Sequence, residues 1–427
     1  MSERKVECHV SLHYVLPPEE RDVWNAQDED TKQSWQPLTG QQDEVGEPTE
    51  YAAAIPVDEI PRFEEARNCR YVVEAQQVHR HGDPEHVEEL GVHAHVAQFP
   101  EPETTRYHRA EEFESNIKSG QGVVYFHLDT GVSNECLSAL NAQNRVLGRR
   151  NFTNSGAVDD VSDPDGHGSM TISLLLPPAA QVYIFKVLGD DGSGASTWIS
   201  AAIREAARIA KNNPGPKYIL SGSLGGEPGR VFLPYKDACT AAEAAGVLCR
   251  WSAGNDGVHG VSAPANWRED RASIAFRRQV DRRAGFSNYA ASCGSATEGE
   301  GVVVVDNRGM LARASGTSFS LPLWCRYTGI IASLRDKDVF TVNAAELGTG
   351  RDTLSSVDEE PHGVLDVSAT QRKLGPTPPA AKPQPSTSRL MKSRIDNLSD
   401  DELVATHAEV FGQFGRRKLG VFRGVDV

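Results

Sequence analysis

From residue 122 onward the chain repeats one pattern, a short β-branched run followed by a longer helical one, and this limits it to very few folds. GVVYFHLDTG (122–131), QVYIFKVL (181–188), KYILSGSL (217–224), GVLCRWSAGN (246–255) and ASIAFRR (272–278) read as buried strands. Between them, STWISAAIREAARIAKNN (196–213) and PYKDACTAAEAAG (234–246) read as helices, with Ala-rich faces and Gly or Pro at their ends. Strand–helix–strand alternation implies an α/β fold: a predominantly parallel sheet with helices on both faces. Ligands bind such sheets beyond the carboxyl ends of the strands.

The length of 427 residues allows two to three domains, one with a full core. Hydrophobic residues at 39% and charged residues at 24% fit a globular chain and not a disordered one. No run approaches the roughly 20 apolar residues of a membrane span, so no membrane partner is expected. The first residues, MSERKVECHVSLHYVLPPEE, lack the apolar core of a secretory signal, and the expected location is the cytoplasm. Seven cysteines without a CxxC pair point to reduced thiols, not to a disulfide framework or a zinc site.

Charge divides the chain. Residues 1–120 hold 26 acidic and 11 basic residues, while the rest holds 33 of each, so the net charge of −15 lies in the N-terminal segment. That balance argues against nucleic acid as a partner and marks residues 1–120 as a distinct unit. Residues 121–371 form the α/β domain, and 372–398, containing GPTPPAAKPQPSTS, form an extended linker. Residues 399–427 open with a capping box, Ser399 to Glu402, and carry Leu403, His407, Val410 and Phe411 at helical spacing before a basic tail.

Several strands of the α/β domain end in polar residues flanked by glycine. HLDTG puts Asp129 at the end of the first strand, DPDGHGSM puts His167 before an apolar helix, and SAGNDG puts Asn255 at another strand tip. RASGTSFSLP puts Ser318 directly before a buried helical run. Each has an ordinary explanation: turn residues for Asp129 and Asn255, a Gly-loop histidine for His167, and a helix cap for Gly-Thr-Ser. Together they are the parts needed for acyl transfer: a carboxylate to orient an imidazole, an imidazole to take a serine proton, and an amide to donate to an oxyanion.

DTGV, DGHGS, KVLGDDGSG, SLGG, SAGNDG, FSNYA and SGTSFSLP, in the chain order Asp, His, Ser, resemble the subtilisin-like serine peptidases (subtilases, peptidase family S8). The resemblance runs from about Gly122 to about Thr370. It implies a serine endopeptidase acting on polypeptide, with Asp129 supporting His167, His167 as general base and then acid, and Ser318 as nucleophile. Asn255 and the Ser318 N–H would serve the oxyanion. Pro322 is expected in the first turn of the helix, where a missing N–H costs little. Ser223, Leu224, Gly225 and Gly226, with Ser252, Ala253 and Gly254, correspond to the two walls that hold extended substrate. Asp256 would place a carboxylate on the pocket rim, favouring a basic side chain.

The chain also departs from the family pattern. Only LLLPPAAQ stands where secreted relatives carry a calcium loop, and no metal or other cofactor is expected. Met170 follows HGS where many relatives have a second histidine, and SCGSATEGEG lacks the usual Ala-Pro-Gly turn. Residues 50–82 read strand–helix–strand, like the family's inhibitory propeptide, which implies intramolecular inhibition. The histidines at 79, 81, 86, 93 and 95 fit a solvated, pH-responsive linker better than a metal site. Two rival functions stay open: a catalytically silent scaffold, and a serine esterase or amidase.

Overall fold

The first described strands are β1 (Lys5–Leu12), β2 (Gln36–Pro37), β3 (Glu50–Pro56), β4 (Cys69–Glu74), β5 (Gln77–Arg80) and β6 (Glu88–His93). The first four form an antiparallel sheet in the order β2-β3-β1-β4. Alternate residues Cys8, Val10, Ala53, Ile55 and Val72 close its small core. The strand–helix–strand reading of 50–82 therefore captures only part of this unit, because β1 lies between β3 and β4 as its central strand.

The computed structural model describes residues 5–12, 36–37, 50–56, 60, 69–80, 88–93, 119–229, 231–356 and 359–375. The helix expected between β3 and β4 falls mostly outside these residues, as do all of the linker but its start and the whole C-terminal helix. The described residues all fall within one compact unit.

The main sheet is built from β7 (Val123–Asp129), β8 (Val146–Asn151), β9 (Gln181–Lys186), β11 (Lys217–Gly222), β13 (Val247–Ser252) and β14 (Ala272–Arg277). They lie in the parallel order β8-β9-β7-β11-β13-β14, and β16 (Ala296–Glu298) pairs parallel with β14. The short strand β15 (Arg282–Arg283) adds the one antiparallel edge. Two short strands, β10 (Ser193–Ala195) and β12 (Leu224–Gly225), stand outside this sheet. A hairpin of β17 (Val302–Val305) and β18 (Met310–Ala314) pairs with β6.

The helices are α1 (Asn134–Ala139), α2 (His167–Leu175), α3 (Ser196–Asn212), α4 (Leu233–Ala244), α5 (Thr317–Arg335), α6 (Val339–Glu346) and α7 (Val367–Leu374). They cover both faces, and β7 shows how. Val123 and Tyr125 join an apolar cluster with Ile172 of α2 and Leu321 and Ile330 of α5. Val124, Phe126 and Leu128 join the opposite cluster with Ile199 and Ile203 of α3 and Ala238 of α4. The same alternation turns His127 and Asp129 toward α2 and α5.

Strand order reverses at β7: β8 and β9 lie to one side, and β11, β13 and β14 to the other. The carboxyl end of β7 is thus the crevice of the sheet, where such folds bind their ligands. Below it, α5 is anchored by a fully buried ion pair, Arg250 to Glu346 at 2.6 Å, with the guanidinium 3.6 Å above the Trp324 ring. Glu346 also accepts from the Trp324 indole and from Thr328, so the charge is not left unpaired. No described helix is long and apolar enough to cross a membrane. Cys136, Cys239, Cys249, Cys293 and Cys325 are buried free thiols, and Cys8 is buried as well.

Candidate active site

Asp129 ends β7 with no solvent exposure. His167 begins α2 after Gly166, whose φ of 92° turns the chain into the helix. The two meet through His167 Nδ1 and Asp129 Oδ1 at 2.7 Å. Asp129 also accepts from the Thr130 N–H at 2.8 Å and the Thr171 hydroxyl at 3.0 Å. Burial pushes its carboxyl up, but the charge and hydrogen bond of His167 outweigh this and hold it below its ordinary value. Residue 168 must be glycine, because a Cβ there would stand 2.0 Å from the Gly131 carbonyl oxygen. That close approach brings the start of α2 against the end of β7.

The loop before α2 is fixed by Asp163. One of its oxygens accepts from the Thr130 hydroxyl and the Gly166 N–H, and the other accepts from the Ser169 N–H and hydroxyl. His127, two residues before Asp129, bonds the Gly168 carbonyl through Nε2 at 3.0 Å. Burial lowers its pKa and so favours the neutral ring. Neither residue stood out in the sequence, although the DPDGHG stretch holds Asp163 four residues before His167 and β7 holds His127.

Ser318 is the second residue of α5 and fully buried. Its Oγ donates to the Ser223 carbonyl at 3.1 Å, and its own carbonyl accepts from the Ser223 hydroxyl at 2.9 Å. His167 Nε2 is buried and has no hydrogen-bond partner among the described residues. The Ser318 N–H lies in the first helical turn, where no carbonyl four residues back is available within the helix. Pro322 corrects the expectation from sequence. It is the sixth residue of α5 and so lies in the second turn. Its missing N–H leaves the Ser318 carbonyl without a helical donor, and Ser223 supplies one.

Asn255 follows β13 and is partly exposed. Its Oδ1 accepts from the Thr317 N–H at 2.9 Å and the Thr317 hydroxyl at 2.8 Å. Because an N–H can only donate, the oxygen must face Thr317, which leaves the amide NH₂ for the opposite side. Asp256 is exposed and accepts from Asn288 Nδ2 at 2.9 Å.

The two expected walls differ. Leu224 and Gly225, as β12, pair antiparallel with β5 of the N-terminal segment, and β5 pairs on its other side with β10. The resulting sheet has the order β10-β5-β12. At Gly226 an added Cβ would come within 3.4 Å of the Gln77 carbonyl. Along the second wall, Ala253 N–H donates to Ser273 O and Gly254 O accepts from Asn288 N–H, so those groups serve the domain itself. Val78 of β5 is fully buried and belongs to the same apolar cluster as Leu224 and Ile199.

The N-terminal sheet meets the start of α3. Gln76 exchanges hydrogen bonds with Ser196 in both directions, N–H to Oγ at 2.8 Å and O from N–H at 2.9 Å. His9 Nε2 bonds the Ser196 hydroxyl at 3.0 Å, and Arg70 pairs with Asp237 of α4 at 2.9 Å.

Only residues 176–180, Leu-Pro-Pro-Ala-Ala, join α2 to β9, and none offers a side-chain oxygen. Among the described residues no three His, Cys, Asp or Glu side chains converge as a metal site.

A carboxylate, an imidazole and a serine in the first turn of a helix, gathered where parallel strands end, form a set suited to acyl transfer at serine. The profile of the Subtilase family matches residues 120–347, and the chain belongs to that family. It is similar to subtilisin-like protease 1 of Arthroderma gypseum, 27% identical over 219 residues, covering 50% of this chain and 44% of that one. It is 31% identical over 231 residues to alkaline elastase YaB of a Bacillus species, covering 52% and 56%. With the subtilisin-like serine protease Pen ch 13.0101 of Penicillium rubens the identity is 26% over 212 residues, covering 48% and 51%. The chain spans about half the length of these relatives.

Proposed function

We propose that the protein is a serine endopeptidase in which Ser318 attacks the peptide carbonyl and His167 takes its proton. The Asp129–His167 hydrogen bond fixes the imidazole with Nδ1–H toward the carboxylate, which leaves Nε2 basic and free to act. The Ser318 hydroxyl must turn from the Ser223 carbonyl toward Nε2 for this transfer. As the tetrahedral oxyanion develops, the Ser318 N–H and the Asn255 amide donate to it. His167 then gives the proton to the leaving amine, the acyl-enzyme forms, and water repeats the sequence to release the acid.

The observation that carries this reading is the pairing of β5 between β10 and β12. A cleft that holds an extended strand by backbone pairing on both sides is suited to polypeptide. That favours a peptidase over an esterase or amidase. The same pairing supports a propeptide-like role for the N-terminal segment, which occupies the cleft in cis and inhibits it. The buried free thiols support a reducing compartment.

The test is labelling by a fluorophosphonate together with hydrolysis of a protein substrate. Both are expected with the wild-type chain and both are lost in Ser318→Ala. A folded wild-type protein that neither labels nor cleaves, with β5 destabilised, would return the reading to a silent scaffold.

A further inference from the structure

Asp165 stands two residues before His167, and its two oxygens have different partners. Oδ1 accepts the backbone N–H of His167 at 3.1 Å. Oδ2 pairs with Arg80 Nε of the cleft strand at 3.0 Å, the two side chains being 8% and 14% exposed. Burial raises the Asp165 pKa and Arg80 acts against that rise, so the site is costly for the carboxylate without a cation. The neighbouring backbone makes room for that cation. A Cβ on Gly192 would stand 2.5 Å from Arg80 Nε and 3.2 Å from Asp165 Oδ2.

The register fixes where this contact falls in a bound strand. Arg80 lies opposite Leu224 and His79 opposite Gly225, antiparallel, and the Arg80 N–H donates to the Gly192 carbonyl at 3.1 Å. In any strand bound in this register, the next residue faces Ser223, whose carbonyl accepts the Ser318 hydroxyl. In the peptidase reading, the carbonyl of that next residue is the one that Ser318 would attack. The place of Arg80 is the one before it.

We infer that Asp165, with the space left open by Gly192, is a specificity determinant that selects arginine or lysine at the residue preceding the one whose carbonyl is attacked. This rests on the peptidase reading above. Asp165 itself touches no reacting atom in that mechanism. A shielded, charge-assisted pair of this kind corresponds to a preference of about tenfold or more over a neutral side chain of similar length.

The experiment uses four peptides that differ only at that place, with Arg, Lys, Gln or Glu, and a valine two residues earlier to match Val78. With the full chain, kcat/KM for Arg and Lys is expected to exceed that for Gln by about tenfold or more, with Glu poorest. In Asp165→Asn the ratio of Arg to Gln falls to within about threefold. Equal kcat/KM for Arg and Gln in the wild type would overturn the inference, whether or not the variant folds. So would a loss in Asp165→Asn that scales all four peptides alike, because that is the signature of the His167 N–H contact alone. Anisotropy measurements of the same peptides on the Ser318→Ala chain read the ratio without chemistry. An Arg preference in binding with no cleavage by the wild type would overturn the peptidase reading and keep the subsite, whereas equal binding would remove the subsite.

Discussion

Ser223 and Ser318 exchange hydrogen bonds, each hydroxyl donating to the other's carbonyl, at 2.9 and 3.1 Å. The exchange exists because Pro322 cannot donate to the Ser318 carbonyl four residues before it. Ser223→Ala should therefore strand a buried acceptor and cost about 1–3 kcal/mol. In a Pro322→Ala background the restored N–H reaches that carbonyl, and the cost of Ser223→Ala should shrink. Denaturant unfolding of the four proteins of this cycle measures the coupling, and strict additivity would refute it.

The chemistry makes unequal demands on its parts. Ser318→Ala and His167→Ala should remove hydrolysis, while Asn255→Ala should retain a fraction, lowering kcat by about 10²–10³ as for loss of one oxyanion donor. Because Asn255 Oδ1 also holds Thr317, the comparison should include a stability measurement. A kcat within threefold of wild type would exclude Asn255 from the oxyanion site.

Inhibition in cis should depend on Val78. Its side chain is fully buried in an apolar cluster, and truncation to alanine should cost about 2 kcal/mol of strand docking, or roughly a 30-fold shift in cleft opening. The rate of fluorophosphonate labelling in the full chain reads that opening. A rate unchanged by Val78→Ala would mean that β5 does not govern access.

Docking of the N-terminal sheet should weaken in acid through His9. Burial first, and then the charge of Arg204, hold its pKa down to about 3 in the folded protein, against about 6.5 when unfolded. Between these values the unfolded chain binds the extra proton, so stability falls as pH drops below about 6.5 and keeps falling toward about 3. Thermal melts across pH 7.5 to 5 should slope accordingly, and His9→Gln should flatten the slope. An equal slope in the variant would assign the effect to another group.

Chelation should change little. With an apolar link between α2 and β9, removal of calcium should lower the melting temperature by less than about 3 °C, under 1 kcal/mol for a domain of this size. A fall beyond about 10 °C would reveal a bound ion elsewhere.

The contact of Asp129 with His167 was legible where one polar residue ends an apolar strand and another opens an apolar helix, since the end of a parallel strand is where such a sheet exposes its crevice. Pro322 was misplaced by one turn because the helix start could not be fixed to a residue from SGTSFSLP alone. The β1 strand was missed because its alternation, Val6, Cys8, Val10, acquires a partner only across some 40 residues. Sequence reading singles out Asp256 because it stands beside a recognised motif. The pair of Arg80 with Asp165 depends on strand register, which no local pattern in either segment encodes.

The helix that carries Ser318 has a further consequence for when the protein can act. α5 is almost wholly internal: Phe319, Leu321, Trp324, Tyr327 and Ile330 are all within 1% of complete burial. In the mechanism proposed above, a chain that ends before residue 317 lacks both its nucleophile and the helix around which the interior closes. In that mechanism the nucleophile arrives with the element that fills the interior, so a copy not yet packed around α5 would not cleave its neighbours.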